Sequence, residues 1–410
     1  MNQHASGRQA PPASRKTEAP ADNQPASVAS GSSAKAGGAS DALAGQIGQA
    51  IQAAGGWIGF EDFMARALYT PGQGYYSRGD RQFGALPQSG SDFITAPELS
   101  PLFARALARQ IAQALDATGT TEVWEFGAGS GALAAGLLQA LGDRVQRYTI
   151  VDLSATLRER QQHTVAERAP AHAHKLHFAD QWPVPIDGVV VGNELLDAMP
   201  VALLAFDGQH WRERGVTLDD HGQFAWQDRP TTLQPPCNAD AFPPGSVTEL
   251  PRQATAWLHS LAASLRRGAA FLIDYGFPEH EYYHPQRSGG TLMCHRAHQA
   301  DVNPLEAPGD KDITSHVDFT AVALAGQDAG LAVLGYTSQA RFLLNCGLAD
   351  DLQAASDARD VRTLANAQKL ITEHEMGELF KVIGFSTTDA EGEPLFDAIG
   401  FNQGDRSHTL

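Results

Sequence analysis

A chain of 410 residues, 42% of them hydrophobic, can bury a large core, so disorder throughout is excluded and one elaborated α/β domain or two smaller ones fit the length. Its formal net charge of -17 argues against a nucleic-acid partner, which would favour an excess of Lys and Arg, and leaves room for a cationic substrate. Cys237, Cys294 and Cys346 are far apart, with no zinc spacing, and no run approaches the roughly 20 apolar residues of a membrane span; a reducing, cytoplasmic setting without disulfides or membrane span is expected.

Residues 1–40, rich in Ala, Ser, Gly, Pro and Gln, read as a disordered tail. Glu18 and Asp22, and the lack of an Arg-bearing amphipathic period, speak against a mitochondrial presequence. Residues 41–118 form an expected N-terminal helical cap. Its helical patterning starts near Asp41, recurs from Phe60 to Tyr69 and returns in an amphipathic helix from Pro97 to Leu115. The intervening loop carries Gly74-Tyr75-Tyr76-Ser77 and Ser91-Asp92-Phe93-Ile94-Thr95-Ala96, and a loop of that length beside a ligand site is more often functional than idle.

From Glu122 the chain alternates: strand 122–126, helix 131–141, strand 147–152, helix 154–168, strands 175–178 and 188–192, the pattern of a parallel sheet with crossovers. Short β runs and turns suggest a β insertion within 201–250. The alternation resumes with a helix near 251–266 and a strand at 269–274, and an irregular insertion spans 276–316. A helix at 318–329, a strand at 331–337 and a β-like run at 379–383 close the 119–390 domain, leaving 391–410 as a C-terminal tail.

The first strand feeds Glu125-Phe126-Gly127-Ala128-Gly129-Ser130-Gly131. Three alternating glycines before a helix suit a backbone that must approach a ligand closely, with the helix N-terminus as a partly positive rim. Gly127, Gly129 and Ala132 also satisfy the dinucleotide fingerprint of a dehydrogenase, so the turn alone does not name the ligand. Asp152 ends the next strand, where a carboxylate can take ribose hydroxyls, or can cap the following helix. Asp180, after the third strand, is a candidate for an adenine amine or a loop turn.

Beyond the fourth strand lie Asn193, Glu194 and Asp197. If this segment is helical, the two acids share a face, able to grip a cation or take a proton; the bland alternative makes Asn193 an N-cap and Asp197 a surface group. His316, between Asp312 and Asp318, reads as a structural or capping residue ahead of a general base. His295 and His298 lack a third ligand of suitable spacing, so no metal is expected.

These motifs, with Asp92-Phe93-Ile94-Thr95-Ala96-Pro97-Glu98, Ile273-Asp274-Tyr275-Gly276 and Asp312-Ile313-Thr314-Ser315-His316-Val317-Asp318-Phe319, resemble the MidA-type family of S-adenosylmethionine-dependent methyltransferases. That family is related to a mitochondrial complex I assembly-factor arginine methyltransferase. The resemblance runs from about Ile58 to Ile383 and departs at Asp152, where the family commonly has Glu. It implies a Rossmann-like α/β class I methyltransferase sheet. It further implies S-adenosyl-L-methionine held by Glu125, Gly127, Gly129, Gly131, Asp152 and Asp180, catalysis by Asn193, Glu194 and Asp197, and Tyr75, Tyr76, Glu98 and His316 as substrate-side candidates. The implied acceptor is a protein arginine, in the mitochondrial case on a quinone-side complex I subunit. A non-catalytic cofactor-binding assembly factor and a nicotinamide-dependent oxidoreductase are the competing readings.

Overall fold

The computed structural model describes residues 34–78, 95–152, 154–296, 299–301 and 303–410. Most of the expected tail therefore lies outside the described residues, but helix α1 (Ala34–Ala53) already begins inside it. Alanine favours that early start. Leu43, Ile47 and Ile51, spaced by one helical turn, bury α1 against α2 (Phe60–Tyr69), whose Phe60, Phe63, Met64, Ala67 and Leu68 are buried. Strand β1 (Ile58–Gly59) lies between them.

The single helix expected from Pro97 to Leu115 is split into α3 (Ala96–Leu99) and α4 (Pro101–Thr118). Ser100 precedes a proline and so takes an extended conformation; its hydroxyl then accepts the Leu102 amide and caps α4, which Gly119 closes in the left-handed region.

The alternating elements follow close to expectation: β2 (Glu122–Phe126), α5 (Ala132–Leu141), β3 (Arg147–Val151), α6 (Ala155–Arg168), β4 (Leu176–Ala179) and β5 (Ile186–Asn193). The expected β insertion holds β6 (Ala202–Phe206), β7 (Trp211–Leu218), β8 (Phe224–Pro230) and β9 (Val247–Leu250), antiparallel throughout, and β1 of the cap joins this sheet by pairing with β7. Then come α7 (Arg252–Ser264), β10 (Leu265–Phe277), α8 (Glu279–Tyr282) and a small sheet of β11 (Met293–Arg296), β12 (Gln299–Asp301) and β13 (Asp312–Thr314). Strand β10 runs past its expected end because Gly276 and Phe277 pair with β14 (Val317–Asp318). The chain finishes through α9 (Phe319–Asp328), β15 (Ala332–Ser338), α10 (Gln339–Asn345), α11 (Leu348–Asp357), α12 (Val361–Ile371) and β16 (Phe380–Ser386).

The central sheet runs β15-β16-β10-β5-β2-β3-β4, parallel except where β16 pairs antiparallel with both neighbours. Alternation along the buried strands sorts the core into two layers. Val123, Val189, Val191, Phe271 and Ile273 pack with α4, α5 and the C-terminal helices, whereas Phe126, Val190 and Leu272 pack with α7 and α9. A third core joins the cap to the insertions through Leu43, Phe63, Leu203, Val216 and Ile313.

Residues 391–410 are no free tail. The Gly400 amide donates to Gln110, Asn345 donates to the Gly400 carbonyl, and Asp405 accepts the Tyr336 amide, with Phe401 buried between. Among the described residues no helix is long and apolar enough to cross a membrane.

Candidate active site

Strand order reverses between β2 and β5, and in an open α/β sheet the crevice beyond the strand ends at such a point receives ligands. The register sets the crevice: Phe126 lies beside Gly192, and Asn193 beside Ile273, so the glycine turn and the segments starting at Glu194 and Asp274 emerge side by side. Gly127, Gly129 and Gly131 all have positive φ, at 69°, 51° and 81°. At Gly131, the first residue of the α5 end, a Cβ would sit 2.9 Å from Gln161 Cα, so conformation and space both require glycine. A Cβ at Gly127 would meet the Leu195 side chain at 3.1 Å, which places the glycine turn directly against the Glu194 loop.

Asp152 stands at the end of β3. One carboxylate oxygen accepts the Ser154 amide at 2.8 Å and the other accepts Gln161 Nε2 at 2.8 Å. Asp152 does not cap α6; Ser154 does, by accepting the Leu157 amide. Gln161 also donates to the Gly129 carbonyl at 3.1 Å, so one fully buried amide ties the glycine turn to Asp152, with its own Oε1 unpartnered. Nothing in the local sequence marks Gln161, because its value comes from the side-by-side packing of α5 and α6.

Glu125 is held in the sheet layer at 2% exposure, where it accepts the Tyr148 hydroxyl at 2.6 Å. Burial pushes its carboxyl up to about 7, against the pull of that hydrogen bond. Asp180 is exposed just after β4, whose Ala179 carbonyl accepts the Asp152 amide. Glu98, on α3, has a buried, unpartnered Oε2, and its charge is felt by Glu194 and by Arg160.

The segment from Asn193 to Pro200 is not a helix, so the shared face expected for Glu194 and Asp197 does not arise from i, i+3 spacing, and Asn193 ends β5 instead of capping a helix. Glu194 takes φ 52°, its amide donates to the Ile273 carbonyl, and the chain then wraps around Asp274. Asp274 Oδ2 accepts the amides of Leu195, Leu196 and Asp197 at 3.1, 2.8 and 3.2 Å, and Oδ1 accepts the Tyr275 amide. A carboxyl group from a neighbouring strand thus supplies what helical hydrogen bonds would have supplied.

The result brings two acids together. Asn193 Nδ2 donates to Glu194 Oε1 at 3.1 Å, and Tyr275 donates to Asp197 Oδ2 at 2.5 Å. Asp197 Oδ1 and Asn193 Oδ1 are buried without a partner. Among the described residues no Lys or Arg pairs with Glu194, Asp197 or Asp274. Burial, then the charge of Asp197, pushes Glu194 up to about 8; burial pushes Asp197 up to about 6 despite the Tyr275 hydrogen bond. A buried carboxylate left without a cation is costly, and a site of this kind favours a positively charged ligand.

The cap and an insertion wall this site. Tyr69 donates to the Ala198 carbonyl and Tyr76 to Asp312, both at 2.7 Å, with their rings stacked at 5.6 Å. Tyr75, 4% exposed, turns into the cap core, whereas Tyr76 faces the acids. His316 stacks on Phe277 at 5.2 Å and meets Tyr275 edge-on at 5.1 Å; burial lowers it to about 4, so its ring is neutral at pH 7. Asp318, not His316, caps α9 by accepting the Ala321 amide. His298 and residues Ser91 to Ile94 lie outside the described residues, among which no three His, Cys, Asp or Glu are placed to hold a metal ion.

Residues 106–337 match the model of a family described as "Putative S-adenosyl-L-methionine-dependent methyltransferase". The chain is 26% identical over 372 residues to protein arginine methyltransferase NDUFAF7, mitochondrial, of Danio rerio, covering 82% of this chain and 85% of that one. It is 28% identical to the Homo sapiens protein of the same name, with 78% of each chain covered. A Burkholderia thailandensis protein described as a "likely methyl transferase" and crystallised bound to S-adenosyl-homocysteine is 51% identical and superposes with a TM-score of 0.87, covering 94% of this chain and all of that one. A crevice at the strand-order reversal, floored by a glycine turn that tolerates no side chain at Gly131, fits the same ligand class. The chain therefore belongs to this family and is an S-adenosyl-L-methionine-dependent methyltransferase.

Proposed function

We propose that the methyl group is transferred to the guanidinium of an arginine in a protein. The observation that carries this reading is the pairing of half-buried Glu194 with buried Asp197, without a Lys or Arg partner among the described residues, on a loop whose Leu195 packs against the glycine turn. In this reading the backbone of Gly127, Gly129 and Gly131 cradles the cofactor, Asp152 takes the ribose and Asp180 the adenine amine. Bound there, S-adenosyl-L-methionine supplies a methyl already activated on a sulfonium, so the chain's task is to aim and prepare the acceptor.

A guanidinium is planar, has five donors and stays protonated to a pH above about 12, which makes it a poor nucleophile. Glu194 and Asp197 each have one oxygen occupied by a neighbour, and so each can offer its second oxygen to one edge of the guanidinium. Two such charge-assisted bonds draw positive charge toward the acids and leave the third nitrogen for attack. The proton released after transfer passes to one of the pair, whose raised affinities for protons suit that role. Mitochondrial relatives named as arginine methyltransferases support the same acceptor. The complex I subunit implied by the sequence resemblance is the first partner to test, and Cys237, Cys294 and Cys346, none of them in a disulfide, suit a reducing compartment.

The test is mass spectrometry of methylarginine in the source proteome with and without this protein, complemented by Glu194→Gln and Asp197→Asn. A mark lost in the deletion and restored only by the wild-type gene is expected, with each variant slowed by about 10²- to 10⁴-fold at unchanged cofactor affinity. An unchanged methylarginine profile overturns the reading.

A further inference from the structure

We propose that Tyr275 is a positioning residue of the acceptor site, which engages one oxygen of Asp197 and thereby leaves the other aimed at the acceptor. This rests on the reading of Glu194 and Asp197 as the acceptor-binding acids. Tyr275 follows Asp274 directly on β10, so the strand that wraps the 195–197 turn also delivers the phenol to the last residue of that turn. The ring is clamped edge-on by His316 at 5.1 Å and by Phe380 at 5.5 Å, from β14's approach and from β16. The phenol donates its proton to Asp197 Oδ2.

A carboxylate turning freely about its last bond presents either oxygen. With Oδ2 engaged at 2.5 Å by a clamped phenol, only Oδ1 is open, and it is buried without a partner. Asn193 treats Glu194 in the same way by donating to Oε1. Tyr275 therefore acts through Asp197 and need not touch the acceptor. The groups facing Asp197 are Asp274 and Tyr275 of β10, Glu194 of its own loop, Tyr69 and Tyr76 of the cap and Asp312 of β13. The other two phenols spend their protons elsewhere, Tyr69 on the Ala198 carbonyl and Tyr76 on Asp312, so loss of the Tyr275 hydroxyl removes a side-chain donor that none of these groups replaces.

The test uses the full chain saturated with S-adenosyl-homocysteine and follows the side-chain carboxyl ¹³C signal of Asp197, assigned with Asp197→Asn, through a pH titration. Tyr275→Phe is expected to move the titration upward by about one unit or more, since a hydrogen bond to the charged form is lost, while S-adenosyl-homocysteine affinity changes less than twofold. If Tyr275→Phe does not fold, Phe380→Leu, which loosens the clamp and keeps the hydroxyl, is expected to move it the same way by less. An unmoved Asp197 titration in the folded variant overturns the proposal. Binding of N-acetylarginine N-methylamide to the same samples separates the two readings. A moved titration with no binding to the wild type keeps Tyr275 as the positioner of Asp197 and removes arginine as the acceptor; tenfold weaker binding in Tyr275→Phe supports both.

Discussion

Gly131 carries two constraints at once, a φ of 81° and the backbone of Gln161 2.9 Å from where a Cβ would be. Gly131→Ala adds only one carbon, yet it costs about 1–2 kcal/mol in backbone strain before the clash is relieved. Relief means pushing α6 from α5, which pulls Gln161 from Gly129 and Asp152. S-adenosyl-homocysteine affinity measured calorimetrically is expected to fall at least tenfold, while the circular dichroism spectrum stays that of the folded protein. Gly129 has the same kind of φ, but its contribution is the turn itself. At this scale the motif was readable in the chain, because alternating glycines have few other uses before a helix. Gln161 was not readable, since a glutamine on a helix is ordinary until its neighbours across space are known.

At the scale of the element, the 194–200 loop is held by a group outside it. Asp274 accepts four backbone amides, three from the loop and one from Tyr275. Asp274→Ala strands these donors in a buried place and is expected to destabilise the protein by about 3–5 kcal/mol in urea denaturation. Asp274→Asn keeps one carbonyl oxygen and is expected to recover part of that loss. The sequence contained both halves of this arrangement, Asn193 to Pro200 and Ile273 to Gly276, as separate motifs. A helix was the natural expectation for the first, since acids three apart beside Leu and Met suit one. Long-range pairing won, because β10 lies beside β5 and puts a carboxyl within reach of three amides that a helix would otherwise have left to water.

For the whole molecule, stability should depend on pH in an unusual direction. Glu125, Asp197 and Glu194 keep their protons to about 7, 6 and 8 in the folded chain, above the ordinary carboxylate range. Between about pH 4.5 and 8 the folded chain then holds more protons than the unfolded one, and stability falls as pH rises through this window. Thermal melting of the cofactor-free protein is expected to show a lower midpoint at pH 8 than at pH 5. Glu125→Gln is expected to flatten part of that slope and to gain about 3 kcal/mol at pH 8, the cost of ionising an acid whose affinity is shifted by between two and three units. A midpoint that rises across the same range contradicts this assignment. In the proposed function, the cost of Glu194 and Asp197 is offset when a cationic acceptor binds.

By itself the sequence determined the alternation of strands and helices, the parallel sheet, the glycine turn and the acids Asp152, Asp180 and Glu194 just beyond three of the strands, because these depend on local periodicity and on backbone conformations few residues can adopt. Tertiary structure alone decided which acids meet. Glu194 and Asp197 converge through Asp274, Tyr69 and Tyr76 arrive from the cap, and Asp312 from an insertion, bringing together residues far apart in the chain, as in the Tyr76 to Asp312 hydrogen bond across 236 positions. No local pattern encodes such a meeting, because it is the order and register of the strands that carries these side chains to one edge of the sheet.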